Sequence, residues 1–554
     1  MDTQRLILFV VFSFSLLMLW EAWQKQDQPG VVAPPTAQVA AQPGVAGVAG
    51  VPVPTPSQSG AAAPAPSAGS AAALINGARA VVVTDVLRAE IDANGGDLRS
   101  LALTRYQDAV DKKKTLLLFE QTPGHEYIAQ SGLLGAGLPT HKTLFQLTPG
   151  TYSLAAGQAT LQVPMTWTDP ATGMKVTKTY TFHRDSYEIN VGYQVSNEGK
   201  QAQPVSAYFQ LVRDGKAPEG ESHFIHTYTG PALFTEQSKF KKIDFKAIDK
   251  GETDYPKFAN DGWMGMVQHH FVAAWLPKNG TKREFYTRPD GNGLYSAGII
   301  LPEGTVQPGA SLSFVTPLYA GPQEQKILTA LAPGLDYVVD YGWLTPISAP
   351  IFWTLQHIHK LVGNWGWSIV ILTILLKLMF FPLSAKSYKS MAQMRALAPR
   401  LARLKEQFGD DRQKLHQAMM DLYKTEKINP LGGCLPVVVQ IPVFIALYWA
   451  LLGSVEMRQA PFMLWIHDLS APDPFYVLPI LMGITMIVQT RLNPTPPDPI
   501  QAKVMMIMPV AFSVFFFFFP AGLVLYWLVN NLISISQQWY ITRKFEASKT
   551  GDKR

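Results

Sequence analysis

The sequence predicts a multi-domain membrane protein. It is read as six α-helical spans, an N-terminal anchor plus a five-helix core, with a large antiparallel β-sandwich domain outside and a cytoplasmic antiparallel helical hairpin. Three observations carry that expectation: the apolar residues fall in blocks, the stretch 74–335 has strand-like periodicity, and basic residues concentrate in two of the inter-block segments. At 554 residues the chain exceeds one core, since single cores rarely pass about 250–300 residues. A hydrophobic content of 47% with 16% charged residues is too apolar for a disordered protein. One cysteine excludes an intramolecular disulfide framework and any Cys-rich zinc or iron–sulfur site. A net charge of +6 allows a nucleic-acid or anionic-membrane partner without choosing between them.

The first apolar block, Arg5 to Trp20, is read as an uncleaved signal anchor within 1–27. A removed signal peptide would share its apolar core. Here Trp20 and Trp23 follow, where an interfacial belt would lie, rather than a small-x-small cleavage site. Residues 28–73 collapse to Pro, Ala, Gly, Val, Ser and Gln, which bury too little apolar surface to offset ordering entropy, so they are read as a flexible tether. From 74 to 335 the chain turns strand-like. Val81–Ile91 is β-branched, Asn94-Gly95-Gly96 signals a turn, and Thr177–Phe182 and Tyr187–Val195 alternate with period two. Segment 336–362, with Trp343, Phe352, Trp353 and Leu355, is read as amphipathic and interfacial.

The core, 363–545, contains apolar runs at about 365–383, 435–452, 475–489, 504–519 and 523–541. Spanning takes roughly 20 residues, so the fourth and fifth spans of the chain are short or thin the bilayer. Orientation follows from basic residues in short loops. Ten lie between the second and third spans, from Lys386 to Lys427, and the end of the chain carries Arg543, Lys544, Lys549, Lys553 and Arg554. Only Arg458 lies between the third and fourth. The long basic loop and the tail, 546–554, are therefore read as cytoplasmic, with the β-domain outside.

Catalytic signatures are missing. The chain has no G-x-x-x-x-G-K-[ST] phosphate loop, no H-E-x-x-H and no strand–G-x-S-x-G–helix elbow, so it is read as a non-enzyme without cofactor or metal. The pairs His223/His226 and His269/His270 are better read as structural than as metal ligands, and His467-Asp468 as an interface anchor beside Trp465.

Two features point to chemistry. In 384–428, Met394, Leu397, Leu401, Leu404 and Phe408 recur at 3,4 spacing, and Leu415, Met419 and Leu422 resume it beyond Gly409, the pattern of a helical hairpin with Pro399 as a kink. Such a hairpin is either passively solvated or a docking arm for ribosomal RNA or lipid head groups, carried by Arg400, Arg403 and Lys405. Inside the membrane, Lys377 lies about 9 Å from the cytoplasmic end of its span, where an ammonium costs on the order of 3 kcal/mol unless it snorkels or finds water or a partner. No other span offers a carboxylate. They offer Thr373, Gln440, Gln489, Asn530, Asn531, Ser534 and Gln537, which together would line a wet, cytoplasm-open cationic groove. Taken singly, each is as well explained by an interhelical hydrogen bond.

The strings Asn364-Trp-Gly-Trp-Ser368, Asn429–Pro436, Gln440–Phe444, Gly453–Phe462, Leu464–Leu469 and Phe519–Tyr526 resemble the YidC/Oxa/Alb family of membrane protein insertases. The anchor, tether and β-domain resemble its Gram-negative form with a large periplasmic domain. The resemblance implies insertion and folding of newly made inner-membrane proteins, alone or beside the SecYEG translocon and its accessory subunits. The nascent proteins, the ribosome near its tunnel exit and the phospholipid bilayer are the other implied partners. It implies a multi-pass inner-membrane protein with both termini cytoplasmic. Lys377 occupies the place of a groove arginine, which keeps the charge and loses the fork. Trp527 stands where a tyrosine is common. Thr373, Phe444, Met482, Phe515 and Trp527 match positions near the family's substrate path. The groove set is then Lys377, Thr373, Gln440, Gln489, Asn530, Asn531, Ser534 and Trp527, and the apolar slide Phe444, Met482, Phe515 and Tyr526. Docking falls to Arg400, Arg403, Lys405, Arg543 and Lys544. A small-solute channel or transporter is the main rival. It predicts paired midplane ionisable residues and an internal repeat, and the sequence has neither.

Overall fold

The computed structural model describes residues 53–54, 77–218, 227–408, 411–426, 435–493 and 499–551. The anchor 1–27, nearly all of the tether, His223/His226, Gly409, 429–434 of the family-like strings and 552–554 of the tail lie outside the described residues. The chain forms two compact units: Gly47–Phe352 with Ala446–Arg458, and Trp353–Ile445 with Gln459–Arg554.

The first unit is built on a ten-stranded and an eight-stranded sheet. Their facing side chains interdigitate: the Phe209 and Trp275 rings lie 4.9 Å apart, and Ser131 Oγ and Tyr193 OH are 2.9 Å apart. Alternation in Met174–His183 and Glu188–Asn197 puts Val176, Tyr180, Phe182, Ile189, Val191 and Val195 inside, as period two requires. Two details differ from the sequence reading. The run Val81–Ile91 is two strands, Arg79–Val83 and Leu87–Asp92. Thr84 Oγ1 accepts from Val86 N and Leu87 N, and this side-chain-closed turn breaks the run. The sandwich is also not wholly antiparallel: Gly150–Ser153 pairs parallel with Arg79–Val83. More than sixty residues separate those strands, ample for the crossover that a parallel pair needs. At the Asn94-Gly95-Gly96 turn both glycines have positive φ, and a Cβ on Gly95 would sit 2.3 Å from the His141 carbonyl oxygen.

Lys178 is fully buried between the sheets. Its Nζ donates to the Gly95 and Ser131 carbonyls and lies over the Phe145, Tyr180 and Tyr193 rings. Burial lowers the Lys178 pKa and raises that of neighbouring Asp97. His269 and His270 are stacked at 3.7 Å, and His270 Nε2 donates to the Leu452 carbonyl at 2.8 Å. Burial depresses both pKa values, that of His269 to about 4.

The second unit is helical. Helix α1 is Thr345–Val362, which begins in the first unit, α2 is Trp365–Met379 and α3 is Phe381–Phe408. Helix α4 is Arg412–Thr425, α5 Leu435–Gly453, whose end from Ala446 belongs to the first unit, α6 Val477–Leu492, α7 Pro499–Phe515 and α8 Ala521–Gly551. The Asn364 side chain caps α2 by accepting from Trp367 N. The apolar run expected to reach Leu383 ends as a helix at Met379, where α2 and α3 meet at 67°. Pro382 explains the break: it has no N–H and its ring would clash with the carbonyl four residues back, but it fits the first turn of a new helix. Pro399 lies within α3 without ending it. Helix α8 runs ten residues past the expected end at Ile541. Among the described residues no single helix is long and apolar enough to cross a membrane, and α2 with α3 meets that measure only as a bent pair.

Candidate functional site

Helix α8 packs against α2, α3 and α6, so one polar face of it meets three neighbours. On that face Asn530 and Ser534 are four apart, as are Thr373 and Lys377 on α2, which places each pair one turn apart. The Lys377 ammonium is buried, 4% exposed, and donates to Ser534 Oγ at 2.8 Å. Ser534 in turn donates to the Asn530 carbonyl at 2.7 Å. Thr373 Oγ1 donates to the Ile369 carbonyl, and buried Asn531 reaches Thr485 Oγ1 on α6 at 3.4 Å. The structure thus joins Lys377 on α2 to Ser534 on α8, while Thr373 bonds within its own helix and Asn531 turns to α6. Gln440 and Gln489 are half-buried on α5 and α6.

Trp527 departs from the sequence assignment. Its ring stands 4.9 Å from Phe444 and 5.8 Å from Phe516, and its Nε1 is buried without a hydrogen-bond partner. It therefore belongs with the apolar set, alongside Tyr526, whose ring stacks on Phe444 at 6.2 Å. Phe515 is half exposed, whereas Met482, expected on the apolar slide, is wholly buried on α6 and does not present a surface.

On the basic helices, Arg400 pairs with Glu426, which neutralises one docking candidate within the chain. Arg403 and Lys405 are exposed on α3. Arg543 lies over the Trp539 ring at 4.3 Å on α8, and Lys544 beside it is exposed.

Sequence reasoning missed several residues. Ser384, Ser387 and Tyr388, from the first two turns of α3, are buried, and α3 packs against α8, which carries Ser534, the acceptor of Lys377. The period Ser384–Tyr388 carried the signal, but it falls in the stretch assigned to the cytoplasmic hairpin. Gln538 on α8 bonds the Leu492 carbonyl and Asn493, tying α8 to the end of α6. Asp473, 1% exposed, accepts from Trp465 Nε1 and from the backbone N–H groups of Phe475 and Leu478. No cluster of three His, Cys, Asp or Glu suited to a metal occurs among the described residues.

Fold and site together define a class: a two-sheet β-unit joined to an apolar helical unit whose interior holds one ammonium on neutral polar partners. The family model described as "YidC periplasmic domain" matches residues 79–354, and the one described as "60Kd inner membrane protein" matches 357–549. With these matches and the relatives that follow, the chain belongs to the YidC family. It is 59% identical over 548 residues to the "Membrane protein insertase YidC" of Thiobacillus denitrificans, covering 99% of this chain and 98% of that one. It is 55% identical over 555 residues to the protein of the same description from Aromatoleum aromaticum, with both chains covered completely. A solved structure described as an active YidC insertase with its first transmembrane domain resolved aligns at 19% identity and a TM-score of 0.42, covering 83% of this chain and 92% of that one.

Proposed function

We propose that this chain is a membrane protein insertase and chaperone of the bacterial inner membrane, acting on newly made membrane proteins alone or beside the Sec translocon. In this reading there are six spans with both termini cytoplasmic, the β-unit is periplasmic, and α3 with α4 forms a cytoplasmic hairpin. The observation that carries the mechanism is the buried Lys377 ammonium on Ser534. A snorkelling lysine would place Nζ at the surface, whereas this one turns inward to a hydroxyl that leaves its charge uncancelled. A groove lined by Lys377, Thr373, Asn530, Asn531 and Ser534 offers an entering acidic segment a cation and hydrogen-bonding neighbours at partial depth. The apolar part of the substrate then leaves past Phe444, Tyr526, Trp527 and Phe515 into lipid, driven by partition, with no nucleotide or cofactor.

The test is a photocrosslinker at Ser534 or Phe444 with a ribosome-stalled nascent membrane protein. Crosslinks from both, and none from exposed Lys175 in the β-unit, are expected. Crosslinking from Lys175 alone would overturn the reading.

In the same reading the exposed Arg403, Lys405, Arg543 and Lys544 dock on ribosomal RNA, with Arg400 a weaker contributor because Glu426 holds it. Replacing the four with Gln is expected to weaken ribosome binding and flatten its salt dependence, because a phosphate that meets no cation keeps its counterions on binding. Unchanged affinity and salt slope, measured by co-sedimentation, would leave these charges as topology signals only.

A further inference from the structure

Residues 459–476, between α5 and α6, form an ordered loop that buries Ala460, Ile466 and Leu469 and turns other apolar side chains outward. Leu464 is 73% exposed and Phe475 65%, with Met463 and Tyr476 also exposed. The loop is nevertheless firmly held. Asp473 collects Trp465 Nε1, Phe475 N and Leu478 N, and Asp468 collects Gln459 N and Ser470 N. The Asn364 side chain donates to the Phe462 carbonyl, Trp367 packs edge-on against Phe462 at 5.5 Å, and the Gly366 position leaves no room for a Cβ beside that ring. Ala521 N and Gly522 N donate to the Ala471 and Leu469 carbonyls.

Three of its non-glycine residues, Gln459, Leu464 and Tyr476, have φ between 55° and 58°, a left-handed conformation that a bulky leucine adopts only against steric resistance. That strain serves no buried packing at Leu464, since it presents the side chain outward. On the other flank the apolar surface is continuous: Tyr476 stacks on Phe517 at 4.9 Å, and Phe475 leads into the exposed Ile480, Ile484 and Val488 face of α6. The covering medium of that face is therefore the medium that Phe475 meets.

We propose that 459–476 is a rigid wedge inserted into the lipid–water interface, with Met463-Leu464 as its tip and Phe475-Tyr476 as its shoulder. The occupant of this surface is phospholipid at the headgroup–acyl boundary, where aromatic and apolar side chains of membrane proteins anchor. The leaflet concerned is the outer one, which rests on the six-span reading above.

The test uses the full chain with Cys434→Ala and a single cysteine at Leu464, Phe475 or His467, each labelled with a small environment-sensitive fluorophore in phosphatidylcholine/phosphatidylglycerol vesicles. His467 is the exposed polar control of the same loop. Probes at 464 and 475 are expected to be quenched at least about threefold more by headgroup-proximal doxyl lipid than the probe at 467, and iodide is expected to reverse the order. Equal quenching at all three positions overturns the wedge. So does protection at 464 from both quenchers, because a protein surface would then be the occupant. Doxyl quenching at 464 with position 467 labelled only from the cytoplasmic side supports the wedge and overturns the six-span topology instead.

Discussion

Lys377→Gln is expected to slow insertion of a substrate with two acidic residues in its translocated segment at least about fivefold, while Lys377→Arg retains most of the rate. Two unit charges ~4 Å apart at an effective dielectric of ~20 attract by about 4 kcal/mol before desolvation. If a quarter of that survives the cost of stripping water from the carboxylate, the barrier changes by about 1 kcal/mol, or fivefold in rate. The geometry makes this attraction available. Ser534 Oγ is a neutral acceptor, and among the described residues it is the hydrogen-bond partner of the ammonium, so a carboxylate arriving in the groove meets an uncancelled charge. Arginine keeps the charge, so a mechanism needing only a cation tolerates it, whereas one tuned to this hydroxyl is deprived of the 2.8 Å hydrogen bond. The measurement is protease protection of test proteins with zero, one and two acidic tail residues, in vesicles carrying each variant. Equal rates for Lys, Arg and Gln across all three would retire the cationic groove.

What the sequence made legible is what repeats with a period. Thr373 and Lys377 on α2, and Asn530 and Ser534 on α8, announce themselves at spacing four, and the structure joins them through the Lys377–Ser534 hydrogen bond. Strand alternation around Thr177–Phe182 placed Val176, Tyr180 and Phe182 inside. The same alternation also places Lys178 there, against the expectation for a charged residue. Only the tertiary cage of two carbonyls, three rings and Asp97 makes that burial tolerable.

The contribution of Tyr388 was hidden because Pro382 turns the chain by 67° and returns the start of α3 against α8. A linear reading assigned that stretch to the solvent. Trp527 is assigned to the groove only through its match to a family position, and its indole stands against Phe444 and Phe516. Asp473 gave only the local signal of a turn, its bond to Phe475 N two residues on, because its other partners, Trp465 and Leu478, lie eight residues before it and five after.

Asp473→Ala is expected to destabilise the helical unit by about 3 kcal/mol, the largest stability effect of any single side chain in the 459–476 loop. Three donors converge on this buried carboxylate, at 3.0 Å from Trp465 Nε1, 3.0 Å from Phe475 N and 2.7 Å from Leu478 N. Hydrogen bonds to a charged acceptor are worth roughly 1.5–3 kcal/mol each, and truncation leaves buried donors whose desolvation is no longer compensated. Three such bonds sum to more than about 3 kcal/mol, but water entering the vacated volume recovers part of that for the loop N–H groups. Leu478 N belongs to the first turn of α6, so one of these three bonds is also the one that satisfies a first-turn N–H of that helix. Asp473→Asn keeps one carbonyl acceptor and turns its amide toward a donor, so its effect should fall between those of alanine and the wild type. His467→Ala, exposed in the same loop, should lie within about 0.5 kcal/mol of the wild type. Thermal inactivation of the detergent-solubilised full chain measures all three, with unfolding half-life at one temperature as the readout because such unfolding is commonly irreversible. If Asp473→Ala decays at the same rate as His467→Ala, the loop is held by its other contacts, the Asp468 and Asn364 side-chain bonds and the Ala521–Ala471 and Gly522–Leu469 hydrogen bonds. A half-life shortened by about two orders of magnitude, partly restored in Asp473→Asn, identifies the carboxylate as the group that keeps an apolar loop in one shape.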